Sequence, residues 1–140
     1  MTFISTQLVR FAHVDAAGIV FYPRYFEMLN AAVEDYFAQG IGVDFAEMHI
    51  RRGLGVPTVT IQTTFFSPSK LGDLLDFRLS VPRVGRSSME LVAEVLCGDE
   101  RRLEATATLV CMDLEAGRSV AWPDDMRPKP MTGEHAVAAA

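Results

Sequence analysis

The clearest helix signal in the chain lies at residues 22–38, which read YPRYFEMLNAAVEDYFA. Apolar side chains recur here at steps of three and four residues, which places them in one broad stripe along a helix. They are Tyr22, Tyr25, Phe26, Leu29, Val33, Tyr36 and Phe37. Pro23 suits the first helical turn, because its missing N–H would have no partner there. We therefore predict a helix over Pro23–Ala38 that Gly40 and Gly42 end.

The segments on either side of this helix follow the period of a β-strand. Residues 2–11 alternate in polarity, a β-branched run begins at Val56, and three further alternating runs cover residues 75–81, 89–95 and 103–109. The turn Gly98–Arg101 predicts an antiparallel hairpin. A helix this apolar needs a sheet to cover it, so the order predicts an α+β fold with a five-stranded antiparallel sheet wrapped around one long helix. A short second helix is expected over Phe45–Ile50.

Length and charge narrow the class of protein. The chain has 140 residues, of which 49% are hydrophobic, enough for one compact domain. We expect that domain at residues 1–127 and a flexible tail at residues 128–140. The net charge of −5 disfavours a nucleic-acid partner, which would need excess Lys and Arg. Without a membrane-length apolar run or a secretory signal, the sequence predicts a cytoplasmic protein with no membrane partner.

Motifs for metals, cofactors and covalent serine chemistry are not found in the sequence. Cys97 and Cys111 are the two cysteines. Their spacing is not that of a Cys-x-x-Cys motif, and no pair of histidines lies near them in the sequence. The predicted hairpin separates them by roughly 20 Å, too far for a disulfide. There is no Gly-x-Ser-x-Gly elbow, Walker loop or dinucleotide fingerprint. We therefore expect no metal and no cofactor.

The stretch before the helix, residues 11–23, reads FAHVDAAGIVFYP and carries the candidate chemistry. A helix N-terminus presents unpaired N–H groups that can stabilise an oxyanion. Asp15 close to such donors can act as a nucleophile or as a general base for water. Alternatively, Asp15 caps a turn and Gly18 merely supplies a left-handed conformation. The residues alone leave both interpretations open.

Residues 15–26, DAAGIVFYPRYF, resemble the signature of hotdog-fold acyl-CoA thioesterases of the 4-hydroxybenzoyl-CoA thioesterase type. The turn Gly72–Leu75 and the stretch VGRSS at residues 84–88 are similar to that family as well. The similarity covers about residues 3–127. It implies a helix enclosed by a sheet, dimers with active sites shared between subunits, and dimers that pair into homotetramers.

The resemblance also implies roles for individual residues. Asp15 matches the catalytic carboxylate, Tyr22 matches the residue whose backbone N–H polarises the thioester carbonyl, and Gly18 matches the glycine that admits the substrate. The expected substrate pocket contains His13, Tyr25, Phe26 and Asn30. The expected contacts to the phosphates of coenzyme A are Arg83, Arg86, Ser87 and Ser88.

Two residues depart from the family pattern. Ala16 replaces a proline that often follows the catalytic aspartate, and Asn30 stands where an acid meets the phenol of the 4-hydroxybenzoyl group. The expected activity is therefore hydrolysis of a small, benzoyl-type acyl-CoA whose acyl group the sequence does not identify. A hydroxyacyl-thioester dehydratase, using His13 beside Asp15, and a non-catalytic acyl-CoA-binding protein are the alternatives.

Overall fold

The computed structural model describes residues 2–132 of the chain. Helix α1 (Pro23–Asp35) begins at the predicted proline, and Tyr36–Ile41 continue it as a π-helical turn. Gly42 ends this turn with a φ of +99°, a conformation that favours glycine. The predicted helix is thus confirmed and extends three residues past Ala38, since Gly40 lies inside the π-helical turn.

Residues 2–132 contain eight strands in addition to the helix. In chain order they are β1 Phe3–Leu8, β2 Leu54–Gly55, β3 Thr58–Phe65, β4 Leu74–Val84, β5 Ser88–Cys97, β6 Glu100–Val110, β7 Met112–Asp113 and β8 Arg118–Ser119. Five of them form one antiparallel sheet in the order β1-β4-β5-β6-β3, and β2, β7 and β8 form a second, three-stranded sheet. The predicted α+β architecture, a five-stranded antiparallel sheet with one long helix, is confirmed, and it is the hotdog fold.

The core lies between α1 and one face of the large sheet. The helix buries Tyr25, Met28, Leu29, Ala32 and Val33. The facing side chains alternate along the central strands, and in β4 they are Leu75, Phe77, Leu79 and Val81, all fully buried. Each large apolar side chain buried in this way contributes about 1.5–3 kcal/mol. The apolar residues of the period-two pattern in the sequence are therefore the ones that face α1.

Several elements differ from the prediction at their ends. β1 stops at Leu8, and Phe11–His13 form a 3₁₀ turn in which the Phe11 side chain is 81% exposed. The expected second helix is a single π-helical turn at Ala46–Arg51. The second sheet was not predicted, because strands of two residues carry no readable periodicity.

The chain after β8 packs against the large sheet. The Trp122 ring stacks on Phe37 at 6.2 Å between centroids, and its Nε1 donates to the carbonyl of Ser88 at 3.0 Å. Farther on, Met131 and Val81 exchange two backbone hydrogen bonds of 2.6 and 2.8 Å. Residues 128–132, the first part of the expected flexible tail, therefore contact the large sheet, and the flexibility of the tail stays a prediction. Its remainder, residues 133–140, lies outside the described residues.

The two cysteines are free thiols. Cys111 is buried, which raises the pKa of its thiol, whereas Cys97 is half-buried. Across residues 2–132, no helix is long and apolar enough to cross a membrane.

Candidate active site

The chain between β1 and α1 folds back on itself as a short hairpin over residues 13–21. Val14 and Val20 form an antiparallel bridge, and the N–H of Asp15 donates to the carbonyl of Ile19 at 3.1 Å. This pairing leads the chain directly into the first turn of α1. Asp15 and the start of the helix are therefore parts of one local structure.

The tip of the hairpin is a turn that Asp15 and Gly18 stabilise together. The Gly18 N–H donates to the Asp15 carbonyl at 2.9 Å, and Gly18 has a φ of +81°. Asp15 Oδ1 accepts the N–H of Ala17 at 2.9 Å, and the Asp15 side chain is exposed. The turn-forming roles considered for both residues are therefore present. They engage only one of the two carboxylate oxygens of Asp15.

The start of α1 leaves one backbone donor outside the local network. Pro23 has no N–H, the Arg24 N–H donates to the Phe21 carbonyl at 2.8 Å, and the Tyr25 N–H donates to the Tyr22 carbonyl at 3.1 Å. Within residues 2–132, no hydrogen bond from the Tyr22 N–H accompanies these. The Tyr22 N–H therefore has no backbone partner among the described residues, and its role as an oxyanion donor stays a prediction.

His13 has a structural role at the base of the hairpin. Its Nδ1 accepts the N–H of Arg10 at 2.8 Å, and its carbonyl accepts the N–H of Phe21 at 2.9 Å. In the described part of the chain, it shares no hydrogen bond with Asp15. The histidine–acid pair on which the dehydratase alternative depended is therefore not formed.

An apolar groove of about 200 Å³ opens between α1 and the β3 side of the sheet. Its lining consists of Phe26, Leu29, Asn30, Val33, Thr58, Ile61, Leu91, Ala107 and Leu109. Asn30 and Thr58 are the polar residues of this set. Phe26 and Asn30 lie one and two turns beyond Tyr22 on α1, so the groove continues from the helix N-terminus.

Tyr25 does not line the groove, in contrast to the expected pocket. Its side chain is 4% exposed, and its hydroxyl donates to Ser69 Oγ at 2.9 Å. The position faces the core because it lies on the buried stripe of α1. Phe65 of β3, which the sequence analysis did not name for the pocket, lies near the start of α1, with its ring centroid 5.9 Å from Tyr25, 6.3 Å from Tyr22 and 6.5 Å from Phe26.

The expected phosphate contacts lie at the other end of the sheet. The turn between β4 and β5 is closed by the Gly85 N–H, which donates to the Ser88 carbonyl at 2.8 Å. Arg83 and Arg86 are exposed there, and Ser87 and Ser88 are half-buried. The hairpin with Asp15 bridges to Lys70, next to the opposite end of β4, and β4 is about 33 Å long. One protomer therefore does not bring the two halves of the expected site together.

The family model described as "Thioesterase-like superfamily" matches residues 9–129. The chain belongs to this superfamily. The family resemblance predicted from residues 15–26 and thioester hydrolysis as the class of reaction are both confirmed.

Individual members of the superfamily are similar over most of their length. A 1,4-dihydroxy-2-naphthoyl-CoA hydrolase from Thermosynechococcus vestitus is 31% identical over 119 residues, covering 84% of this chain and 81% of the relative. A 4-hydroxybenzoyl-CoA thioesterase from Pseudomonas is 29% identical over 83 residues, or 59% of each chain. The crystal structure of a 1,4-dihydroxy-2-naphthoyl-CoA thioesterase from Synechocystis superposes with a TM-score of 0.79 at 22% identity, covering 89% of this chain and 92% of that one. This structural likeness shows the shared fold.

The structure of this thioesterase-superfamily member also contains a polar cluster that sequence analysis did not find. Arg102 of β6 reaches the turn between β3 and β4, where its Nη1 bonds Ser69 Oγ at 2.9 Å and Asp73 Oδ2 at 2.8 Å. The hydrogen bond from Arg102 holds the pKa of the Asp73 carboxyl below its usual range. The only signal in the sequence was Gly72–Asp73, which marked a turn but no partner for it.

Proposed function

We propose that this chain hydrolyses thioesters of coenzyme A with small aromatic acyl groups, and that Asp15 and the backbone N–H of Tyr22 carry the reaction. The Tyr22 amide donates no backbone hydrogen bond within residues 2–132, and it stands between the Asp15 hairpin and the helix that lines the apolar groove; this is the observation that carries the proposal. The names of the relatives support the substrate class, because naphthoyl-CoA and benzoyl-CoA thioesters both carry an aromatic acyl group.

The two groups divide the chemistry between them. Hydrolysis places negative charge on the carbonyl oxygen, and the Tyr22 N–H with the positive end of α1 stabilises that charge without rearrangement. Asp15 has two routes to the carbonyl carbon. As a nucleophile it forms a mixed anhydride and releases the CoA thiolate, and water then hydrolyses the anhydride. As a general base it takes a proton from the water that attacks, and the tetrahedral intermediate expels the CoA thiolate.

The groove provides the site for the acyl group. Phe26 and the neighbouring Phe65 offer ring faces close to Tyr22, and aromatic groups pack against such faces in offset or edge-on contacts. Asn30 and Thr58 supply hydrogen-bonding groups deeper in the groove. We therefore infer an acyl ring that bears a polar substituent, and Asn30, being neutral, meets that substituent through its amide.

We infer that a second copy of the chain completes the site. β3 is the edge strand of the large sheet, and its apolar side chains Val59, Ile61 and Phe65 are 43–53% exposed. Native proteins seldom leave such an edge unpaired. Antiparallel pairing of two β3 strands about a two-fold axis places the Thr58 end of one beside the Phe65 end of the other.

That arrangement unites the two halves of the site. The turn that carries Arg83 and Arg86 lies at the Thr58 end, because Ser88 pairs with Val110 and the Val110 N–H bonds the carbonyl of Pro57. It therefore comes close to the Tyr22 of the other subunit, where its cations can hold the phosphates of coenzyme A. Pairing of dimers into a tetramer and a cytoplasmic location stay predictions of the sequence.

Thiol release from a panel of benzoyl-, hydroxybenzoyl-, dihydroxynaphthoyl- and fatty acyl-CoAs tests the activity. We expect turnover of the aromatic thioesters, and a loss of kcat on the order of 10²–10⁴-fold in Asp15→Asn, because the amide neither attacks nor takes a proton. Asp113→Asn is the matched control. Asp113 also caps a turn through Oδ1, accepting the N–H of Glu115 at 3.0 Å, but it lies in the β7–β8 hairpin.

Other results of the thiol-release assay would favour one of the alternative functions or exclude a role for Asp15. Binding of these thioesters without thiol release would replace hydrolysis by the non-catalytic alternative. Hydration of an unsaturated acyl-CoA without thiol release would indicate the dehydratase. Full activity of Asp15→Asn would exclude Asp15 from the chemistry and leave the hydrolase assignment intact.

A further inference from the structure

One guanidinium nitrogen organises the turn between β3 and β4. Arg102 Nη1 donates to the carbonyl of Pro68 at 3.1 Å, to Ser69 Oγ at 2.9 Å and to Asp73 Oδ2 at 2.8 Å. Asp73 Oδ2 in turn accepts the N–H of Lys70 at 2.9 Å. The side chain of Arg102 is 11% exposed, so solvent screens these contacts weakly.

The geometry of β6 directs Arg102 toward this turn. Val95 pairs with Leu103 and Leu96 pairs with Arg101, which leaves Arg102 as the extra residue of a β-bulge. A bulge bends the strand locally and re-aims the side chain of the extra residue. The Arg102 carbonyl meanwhile accepts the N–H of Phe66 at 2.9 Å. Backbone and side chain of one residue therefore both hold the turn.

The turn between β3 and β4 also forms hydrogen bonds with the hairpin that carries Asp15. The Ser69 carbonyl accepts the N–H of Val20 at 2.9 Å, and Lys70 forms a bridge with Ile19. Ser69 Oγ accepts the Tyr25 hydroxyl at 2.9 Å, and Ser69 is completely buried. Ser69 thus contacts the chain on both sides of Tyr22, the second strand of the hairpin and the first turn of α1.

We propose that Arg102 is a positioning residue for thioester hydrolysis: through Ser69 it fixes the backbone of residues 19–25 and thereby the direction of the Tyr22 N–H. This inference rests on the proposed function, because it takes the Tyr22 amide as the oxyanion donor. Such a donor works only within about 2.7–3.1 Å of the oxyanion, and a misplacement of about 1 Å costs on the order of 10²-fold in rate.

Arg102→Gln removes the cation that reaches all three acceptors. We expect kcat for an aromatic acyl-CoA to fall about 10–100-fold while KM changes less than about twofold, since the groove is not altered. Hydrogen–deuterium exchange of the peptide covering residues 13–22 becomes faster, whereas that of β5 stays as in the wild type. Arg102→Lys restores part of kcat, because an ammonium group can still donate to the same turn.

Arg101→Gln is the matched control on the neighbouring residue. Arg101 pairs with Glu104, and with Glu94 at 3.7 Å, and its guanidinium stacks on Phe66 at the start of the turn, 4.2 Å from the ring centroid. Unlike Arg102, it forms no hydrogen bond or ion pair with Pro68, Ser69 or Asp73. We expect its kcat and its exchange at residues 13–22 to match the wild type. A loss of kcat in Arg101→Gln as large as in Arg102→Gln would overturn the positioning role.

Two further results would contradict the proposal. Unchanged kcat in Arg102→Gln with an active wild type shows that the hairpin keeps its geometry without the guanidinium. Faster exchange throughout β5, with activity reduced in proportion to the folded fraction in both Arg102 variants, shows a role in overall stability only. An inactive wild type is a separate result that refutes the proposed function before any variant is compared.

Discussion

Gly18 is the residue of the hairpin whose backbone conformation most restricts the choice of amino acid. Its φ of +81° lies in the left-handed region, and an added Cβ would meet no atom within 4 Å. The obstacle to a side chain is therefore conformational, not steric. For an L-residue this region costs about 1–2 kcal/mol.

We predict that Gly18→Ala lowers the free energy of unfolding by about 1 kcal/mol and also reduces kcat. The turn can relieve its strain only by shifting the chain beside Asp15. Urea denaturation measures the first effect and thiol release measures the second.

Gly117→Ala separates the two effects. Gly117 has a φ of +68° and equally open surroundings, but it lies in the turn between β7 and β8. We expect a similar loss of stability with unchanged kcat. If Gly117→Ala reduced kcat as much as Gly18→Ala, strain at the hairpin would not explain the loss.

At this scale the sequence predicted residues that lie close together along the chain. Asp15, Gly18 and Tyr22 could be proposed together because they lie within eight consecutive positions, and their roles stay predictions. Arg102 was not found, because its partners Ser69 and Asp73 are 33 and 29 positions away and a bulge sets its direction. Tyr25 was expected in the pocket, but its side chain is buried in the core, because an apolar stripe does not distinguish a pocket from the core.

Among the elements, the segment after β8 connects distant parts of the sheet. β4 has a register shift between Ser80 and Arg83, and Val81 there pairs with Met131 instead of β5. The same segment buries Met126 and Pro128. Pro128 packs closely here, because a proline suits a position where no N–H is required.

We predict that a chain truncated after Arg127 is less stable than one truncated after Thr132, by about 2 kcal/mol. The difference consists of the two hydrogen bonds between Val81 and Met131 and the burial of Pro128. Urea midpoints of the two truncated chains measure it, provided that their m-values agree. Equal midpoints would show that these contacts contribute nothing to stability.

The strands of the large sheet were predictable because they are long enough to show a period of two, whereas the two-residue strands of the second sheet are not. Over Met89–Ala93 of β5 and Leu103–Leu109 of β6, buried side chains alternate with less buried ones, for example Leu91 and Ala93 against Ala107 and Ala105. β3 has the same alternation but is exposed along its length. The alternation in β3 therefore predicts that its apolar side chains are buried, but within one protomer they are exposed.

For the whole molecule, the decisive feature is the distance between the two ends of the large sheet. Asp15 and Tyr22 lie at one end, and Arg86 lies at the other, separated by about the length of β4. In a dimer paired through β3, each active site combines the hairpin of one subunit with the β4–β5 turn of its partner. Two defective chains can then compensate for each other.

We predict that co-expressed Asp15→Asn and Arg86→Ala chains are more active together than separately at low substrate concentration. In the mixed dimer, the Arg86→Ala chain supplies an intact Asp15 and the Asp15→Asn chain supplies an intact turn, so one of the two sites is complete. Random pairing makes half of the dimers mixed, and about a quarter of the wild-type activity is expected. Thiol release by the purified dimer fraction measures it. Asp15→Asn co-expressed with the double variant Asp15→Asn/Arg86→Ala is the control, because no intact Asp15 is present. If a mixed population confirmed as dimeric only reproduced the mean of its parents, each subunit would carry its own complete site, and Arg86, about 33 Å away along β4, would lie outside it.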